Sequence, residues 1–94
     1  MLPVVWLDGA IADMAGIVRF IAEENPAAAH RLKARLEVAP LALAEHPYLS
    51  PAGRVPGTRE FVPHPNYLIV YRVAASRVEV VAVVHTRREY PPTE

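Results

Sequence analysis

Hydrophobic residues recur at helical spacing in the first half of the chain and form strand-like runs in the second half. A short apolar run at 3–7 has the length of a strand. Asp8 follows it and offers an N-cap, since its carboxylate can accept the free amides of a first helical turn. The apolar positions that come next predict one face of a helix: Ile11, Met14, Ala15, Val18, Ile21 and Ala22.

A second helix is predicted to begin where the first one ends. Asn25 is its expected N-cap and Pro26 its first residue, a position at which a missing amide hydrogen costs no intrahelical bond. Pro40 predicts a kink or an early stop, because it cannot donate to the carbonyl of Leu36. Helices joined so tightly should fold back as an antiparallel hairpin. The apolar stripe of this helix is Ala29, Leu32, Leu36, Ala39 and Leu43.

Three strands are predicted in the second half. Proline and glycine make 46–57 a loop, which a strand at 58–62 and a turn at 63–66 follow. The runs at 67–73 and 78–85 are dense in β-branched and aromatic residues, which favour strands. Both runs are apolar at nearly every position, so both faces of the sheet must be covered. The helix hairpin can cover only one face, and we expect the C-terminal tail or a partner to cover part of the other.

The predicted order of elements is strand, helix, helix, strand, strand, strand (β-α-α-β-β-β). This order indicates an α+β fold, in which an N-terminal strand joins a mainly antiparallel sheet and an antiparallel helix hairpin packs on that sheet. A chain of 94 residues suffices for one domain, which we expect to span 1–94.

Composition and charge exclude several classes of protein. No apolar run approaches the roughly 20 residues of a membrane span, and residues 1–8 lack the basic region of a signal peptide. The chain has no cysteine, which excludes disulfides and fits a cytoplasmic location. A net charge of zero argues against strong nonspecific binding of nucleic acid. Hydrophobic residues make up 52% of the chain, so we expect apolar surface that a partner covers.

No metal or cofactor is predicted. A metal site needs ligands at matched spacing, and none of the four histidines has a second ligand at helical spacing. They are His30, His46, His64 and His85. The chain also lacks a glycine-rich phosphate loop and a nucleophile elbow.

The densest group of chemically capable side chains lies at 85–90. His85 could act as a general base, Arg87 and Arg88 could hold a phosphate, and the ring of Tyr90 could stack on a base.

A structural role for the same cluster competes with the catalytic one. In that interpretation the arginines pair with Glu60 and Glu79 across the sheet, while Tyr90 anchors the tail. Residue types alone favour this structural role.

Phe20 lies roughly opposite the apolar stripe of the first helix, among acidic residues. An aromatic residue in such a place either packs against a neighbouring loop or helix or marks a protein-binding surface. The sequence leaves both interpretations open.

Five segments, taken in order, resemble the RelE/ParE family of toxins from type II toxin–antitoxin systems. They lie at 25–29, 44–47, 54–60, 64–73 and 84–91. Each segment is a weak signal alone, but together, with the right spacing, they are a strong one, and the resemblance as a whole covers residues 3–91. The resemblance implies the fold described above. The family has two branches, RelE and ParE, and this chain is more similar to the ParE branch.

The two branches of that family imply different activities. RelE-type members resemble ribosome-dependent mRNA endoribonucleases, which carry arginines, lysines and a C-terminal tyrosine on the concave face of the sheet. This chain has Leu68 where the nucleases carry an arginine, and 46–58 contains Arg54 but no lysine. Phosphate binding would then depend on Arg87 and Arg88 alone. Two cations give little positive charge for the cleavage of RNA.

The ParE resemblance therefore implies a non-enzymatic toxin that binds a cellular target, typically DNA gyrase in the family, and that a cognate antitoxin neutralises. We expect the target to contact Arg54, Arg59, Arg87, Arg88 and Tyr90. We expect the antitoxin to contact Phe20, Ile17, Val38 and Leu41. An endoribonuclease is the alternative, with His85, Arg87, Arg88 and Tyr90 as its catalytic residues. A homologue that has lost toxicity is a third alternative. Neither a membrane nor nucleic acid is expected as the main partner.

Overall fold

The computed structural model describes residues 1–92 and contains the predicted elements in the predicted order. The strands are β1 Val4–Trp6, β2 Arg59–His64, β3 Tyr67–Val73 and β4 Val78–His85. The helices are α1 Asp8–Ala22 and α2 Pro26–Val38, and a 3₁₀ helix at Ala39–Ala44 follows α2.

The four strands form one sheet in the order β1-β4-β3-β2. β1 runs parallel to β4 and the other pairings are antiparallel, so the predicted α+β fold with a mainly antiparallel sheet is confirmed. β1 pairs with β4 only from Val78 to Val80, and no other described strand lies along the outer side of β4. The ladder between β3 and β4 shifts register after Val70, and Val81 is the extra residue of this bulge.

The structure confirms two of the predictions made for the helix ends and contradicts one. Asn25 caps α2, since its side chain accepts the Ala28 amide at 3.0 Å. Pro40 acts as predicted, because α2 stops at Val38 and the 3₁₀ helix takes over. The prediction that Asp8 caps α1 is wrong. Asp8 is the first helical residue, where its charge still favours the positive end of the helix dipole.

The buried face of α1 is rotated from the predicted stripe. Ile11 was expected in the core, yet it is 53% exposed, and Ala15 is exposed as well. In this orientation Ala10 and Met14 are buried in the core, with Ile17 packed against it. The same orientation brings Asp13 to β4, where its carboxylate accepts the Val83 amide at 3.0 Å. The predicted stripe of α2 is confirmed, with Ala39 half-buried and its other members buried.

The first strand of the second half begins and ends later than predicted. β2 extends through Pro63 to His64, and the turn is confined to 65–66. A strand can contain Pro63 because β2 is an edge strand, and the register shift between Phe61 and His64 removes the need for a ladder bond there. The carbonyl of Pro63 instead accepts the Arg35 guanidinium at 2.8 and 3.1 Å, which ties α2 to β2.

Apolar side chains cover both faces of the sheet. On the side of the helices, Ile69, Val80 and Val83 belong to the main core. On the opposite side, here called the outer face, Tyr90 of the C-terminal tail packs against a second buried cluster, formed by Leu68, Val70, Ala82 and Val84. The prediction that the tail covers part of this face is confirmed. Within residues 1–92, no helix is both long enough and apolar enough to cross a membrane.

Candidate functional site

A cavity of about 750 Å³ opens between α1 and the C-terminal end of β4. We call it the α1–β4 pocket. Its walls come from one flank of α1, from β3 and β4, and from the turn that follows β4. The lining residues are Ala12, Asp13, Gly16, Ile17, Phe20, Tyr67, Val83, His85, Arg87 and Arg88.

The helical wall of the pocket is built from residues three and four positions apart. Asp13, Gly16, Ile17 and Phe20 therefore lie on one side of α1. Phe20 is 74% exposed, so no loop or helix within residues 1–92 covers its ring. The interpretation in which Phe20 packs against a neighbouring loop or helix therefore does not hold for the described residues. Gly16 leaves open space beside it, since a Cβ atom there would meet nothing within 4 Å.

The strand wall of the pocket is held rigidly. Tyr67 is buried and stands edge-on to the His85 ring, with the ring centroids 5.2 Å apart. The His64 ring also lies near that of Tyr67, with 5.7 Å between the ring centroids. Since the Val83 amide is bonded to Asp13, the strand and the helix are fixed to each other across the floor of the pocket.

The turn after β4 places two arginines at the rim of the pocket. Thr86 anchors this turn, donating from its amide to Asn66 at 2.8 Å and from its hydroxyl to Pro65 at 3.0 Å. Arg88 closes it by donating from its amide to the His85 carbonyl at 2.9 Å. The side chains of Arg87 and Arg88 are exposed, and neither forms an ion pair with another residue of 1–92.

The backbone of Arg87 orients the ring of His85. Its amide donates to Nδ1 of the His85 ring at 3.1 Å. The ring so held forms part of the pocket wall.

Tyr90 does not line the pocket. It packs on the outer face of the sheet, and burial raises the pKa of its phenol above the ordinary value, with smaller contributions from the carboxylates of Glu60 and Asp13. The four residues of the candidate nuclease set are therefore divided. His85, Arg87 and Arg88 come together in the pocket, while Tyr90 anchors the tail on the other face.

The proposed pairing of the terminal arginines across the sheet is wrong. Glu60 is bound by Arg54, with 3.3 Å between the charged groups and 2.9 Å from the Arg54 amide. Glu79 is buried between other arginines, namely Arg72 and Arg77. Their hydrogen bonds, that of Arg72 first, hold the pKa of the Glu79 carboxyl below its ordinary value although burial opposes this.

Arg54 and Arg59, which were also predicted to contact the target, lie away from the pocket. Arg59 donates to the carbonyls of Tyr48 at 3.2 Å and Ser50 at 2.6 Å, and its guanidinium lies 5.1 Å from the centre of the Tyr48 ring. Both arginines hold the 46–57 loop against β2, so their contacts are those of structural residues.

The residues predicted to contact the antitoxin are also divided. Ile17 and Phe20 line the α1–β4 pocket, whereas Val38 and Leu41 lie at the end of α2 and in the 3₁₀ helix. The latter two are exposed, as an interface would require, but neither lines the pocket.

A second depression, of about 710 Å³, lies on the opposite flank of α1. We call it the α1–α2 groove, and it is lined by Trp6, Ile11, Met14, Ala15, Val18, Arg19, Lys33 and Glu37. This groove was not predicted from the sequence, because Ile11 was expected in the core. Within residues 1–92, no three histidine, cysteine, aspartate or glutamate side chains are grouped so that they could hold a metal ion.

Comparison with known proteins relates the chain to bacterial toxins. Residues 4–90 match the family model described as the ParE toxin of the type II toxin–antitoxin system parDE. The chain is 39% identical over 90 residues to the protein named Toxin RelE2 of Caulobacter vibrioides, covering 94% of this chain and 99% of that protein.

Two solved structures are similar to this fold. One is described as the chromosomal ParDE TA system from P. aeruginosa, with a TM-score of 0.77 and 19% identity over 90% of this chain and 96% of that chain. The other is a conserved hypothetical protein from Helicobacter pylori, with a TM-score of 0.58 and 15% identity over 92% of this chain and 96% of that chain. At these identities the two structures bear on the fold alone.

Proposed function

The chain belongs to the family of ParE toxins of type II toxin–antitoxin systems, and from that premise we propose that it inhibits growth by binding a cellular target rather than by cleaving RNA. Membership in this family makes a cognate antitoxin its partner. For the target we propose DNA gyrase, following the family, and for the surface that contacts it the rim of the α1–β4 pocket at Arg87 and Arg88.

The observation that carries this proposal is the separation of His85 from Tyr90. The two side chains lie on opposite faces of β4, one in the pocket and one on the outer face. Acid–base cleavage requires the catalytic groups within hydrogen-bond reach of one reacting phosphate. A nuclease site that uses both residues would require the tail to move.

The outer face argues in the same direction. Leu68, Val70, Ala82 and Val84 are all buried there, and Tyr90 covers them. A face that binds RNA on a nuclease needs cations that are free to bind phosphate, since phosphate contacts supply most of the affinity. On this face Tyr90 packs on the apolar cluster, and the exposed arginines Arg72 and Arg77 are paired with Glu79.

Two assays with the purified chain test the proposal. In a primer-extension assay, mRNA should stay intact both free and on translating ribosomes. In a supercoiling assay with purified gyrase, the chain should inhibit supercoiling and accumulate cleaved DNA. Replacing Arg87 and Arg88 by alanine should weaken the inhibition, whereas alanine at Arg31, an exposed arginine of α2, should not.

A second candidate function rests on Arg87 and Arg88, which form no ion pair within residues 1–92. Two adjacent guanidiniums at a pocket rim can hold a phosphate, so the endoribonuclease alternative keeps one structural argument. Cleavage of ribosome-bound mRNA that is lost on removal of both arginines would establish it and refute target inhibition. No effect in either assay would instead point to a target other than gyrase.

A further inference from the structure

The turn after β4 is held to the rest of the fold through Thr86. Its amide donates to the Asn66 carbonyl at 2.8 Å, and its hydroxyl donates to the Pro65 carbonyl at 3.0 Å. The amide bond continues the ladder between β3 and β4 by one step beyond the pair of Tyr67 and His85. Any residue except proline can form that bond, whereas the second bond needs a hydroxyl. The side chain of Thr86 therefore adds a connection that the backbone alone does not supply.

The turn that receives these bonds is itself fixed. A proline ring holds the φ angle near about −65°, so Pro65 has little conformational freedom. The Asn66 amide donates to Nδ1 of the His64 ring at 3.0 Å. Just before that ring, the Pro63 carbonyl accepts the Arg35 guanidinium at 2.8 and 3.1 Å, which connects this end of β2 to α2. The turn after β4 is thus bonded to a rigid support.

Arg87 and Arg88 follow Thr86 directly, so their backbone positions depend on this support. The Arg87 amide donates to the His85 ring at 3.1 Å, and the Arg88 amide donates to the His85 carbonyl at 2.9 Å. Both of these bonds stay within the turn, whereas the two bonds of Thr86 cross to the turn between β2 and β3. The direction in which the two exposed guanidiniums leave the sheet therefore depends on Thr86.

We infer that the hydroxyl of Thr86 positions Arg87 and Arg88 for contact with the target. The inference rests on the proposed function, which assigns both arginines to the target surface. Ordering exposed residues when a complex forms costs affinity, and a backbone that is already fixed reduces that cost. The donors of a guanidinium are planar and directional, so a displaced arginine does not meet the same acceptors. Thr86 is a positioning residue, since it acts through its neighbours and needs no contact of its own with the target.

Thr58 offers a matched comparison. Its hydroxyl donates to the Val55 carbonyl at 2.7 Å, so it forms the same kind of bond as Thr86, and both threonines are half-buried. Thr58 follows the 46–57 loop and is not among the residues that line the α1–β4 pocket. If a threonine hydroxyl only stabilised the fold, its removal at either position should have the same effect on the toxin.

Valine at each position removes the hydroxyl and keeps the shape of the side chain. Thr86→Val should raise the amount of toxin needed for half-maximal growth inhibition by roughly 2- to 10-fold, which corresponds to the net contribution of one hydrogen bond. Thr58→Val should leave that amount unchanged. Immunoblots give the level of each toxin variant in the cells. Thermal melting of the purified variants should show a similar, small decrease in melting temperature for both valine substitutions.

Serine at the same position separates the hydroxyl from the rest of the side chain. Thr86→Ser keeps the hydroxyl and removes the methyl group. It should inhibit growth as strongly as wild type, because the bond to the Pro65 carbonyl can still form.

The outcomes separate this inference from the proposed function. If Thr86→Val inhibits growth as strongly as wild type while alanine at Arg87 and Arg88 weakens inhibition, the inference is refuted and the target surface stands. If Thr58→Val loses as much inhibition as Thr86→Val, or if Thr86→Ser is as weak as Thr86→Val, the hydroxyl has no positioning role and the inference is likewise refuted. If alanine at both arginines leaves growth inhibition unchanged, the proposed target surface fails, and the inference fails with it.

Discussion

Replacing Phe20 by alanine should weaken antitoxin binding while leaving the toxin folded. Because the residue is 74% exposed, the folded chain buries only about a quarter of it, on the order of 50 Å² and about 1 kcal/mol. Alanine is the better helix former by roughly 0.5 kcal/mol, which offsets part of that loss. The free energy of unfolding should therefore fall by less than about 1 kcal/mol.

The cost should appear in the complex, where a partner buries the rest of the ring. Truncating an interface aromatic residue costs about 1–3 kcal/mol, which corresponds to a Kd raised roughly 5- to 150-fold. Titration calorimetry against the antitoxin gives the affinity, and thermal melting gives the stability of the free toxin. Ile11→Ala is the control, since Ile11 is also exposed but lines the α1–α2 groove. If Phe20→Ala leaves the affinity for the antitoxin unchanged but lowers the melting temperature by a large amount, Phe20 has a structural role instead.

Three further predictions follow from the surface and from the buried charge. The isolated chain should aggregate and co-expression with the antitoxin should keep it in solution, because several large apolar side chains are exposed; a highly soluble lone chain would contradict this. Alanine at Arg87 and Arg88 should reduce growth inhibition but change the free energy of unfolding by no more than about 0.5 kcal/mol each, so a large loss of stability would show that their role is structural. Since Arg72 and Arg77 lower the pKa of Glu79 in the folded state, its contribution to stability is present above the ordinary carboxyl pKa and is lost as pH falls through the lowered value. Glu79→Gln should flatten the decline in melting temperature below about pH 4, and an identical acid profile for both proteins would argue against this role.

Local sequence signals predicted most of the fold. The bounds of β3 and β4 agree with the structure because both runs are rich in β-branched residues and end at turns. Asn25 and Pro26 determined the start of α2 for equally local reasons. Even the stop at Pro40 follows from one residue, since it cannot supply the bond that the helix needs.

The site depended on contacts between distant residues and was predicted less well. The bulge at Val81 reverses which residues of β4 face the helices, so Glu79 points to the outer face while Val83 and His85 line the pocket. A shift of one residue exchanges the two faces of a strand, and nothing in the run 78–85 marks where it occurs. The orientation of α1 that exposes Ile11 likewise involves contacts between distant residues, among them the bond from Val83 to Asp13 across 70 residues.

The position of β1 affects when the fold can form. Val4 pairs with Val78, so the first strand of the chain finds its place only against the last one. Contacts so far apart in sequence are slow to form, because the loop between them must close first. While the chain is being synthesised, α1 and α2 have no β4 to pack on, and the α1–β4 pocket does not exist. A translation product that stops before residue 78 therefore lacks both the complete core and the surface that we assign to antitoxin and target.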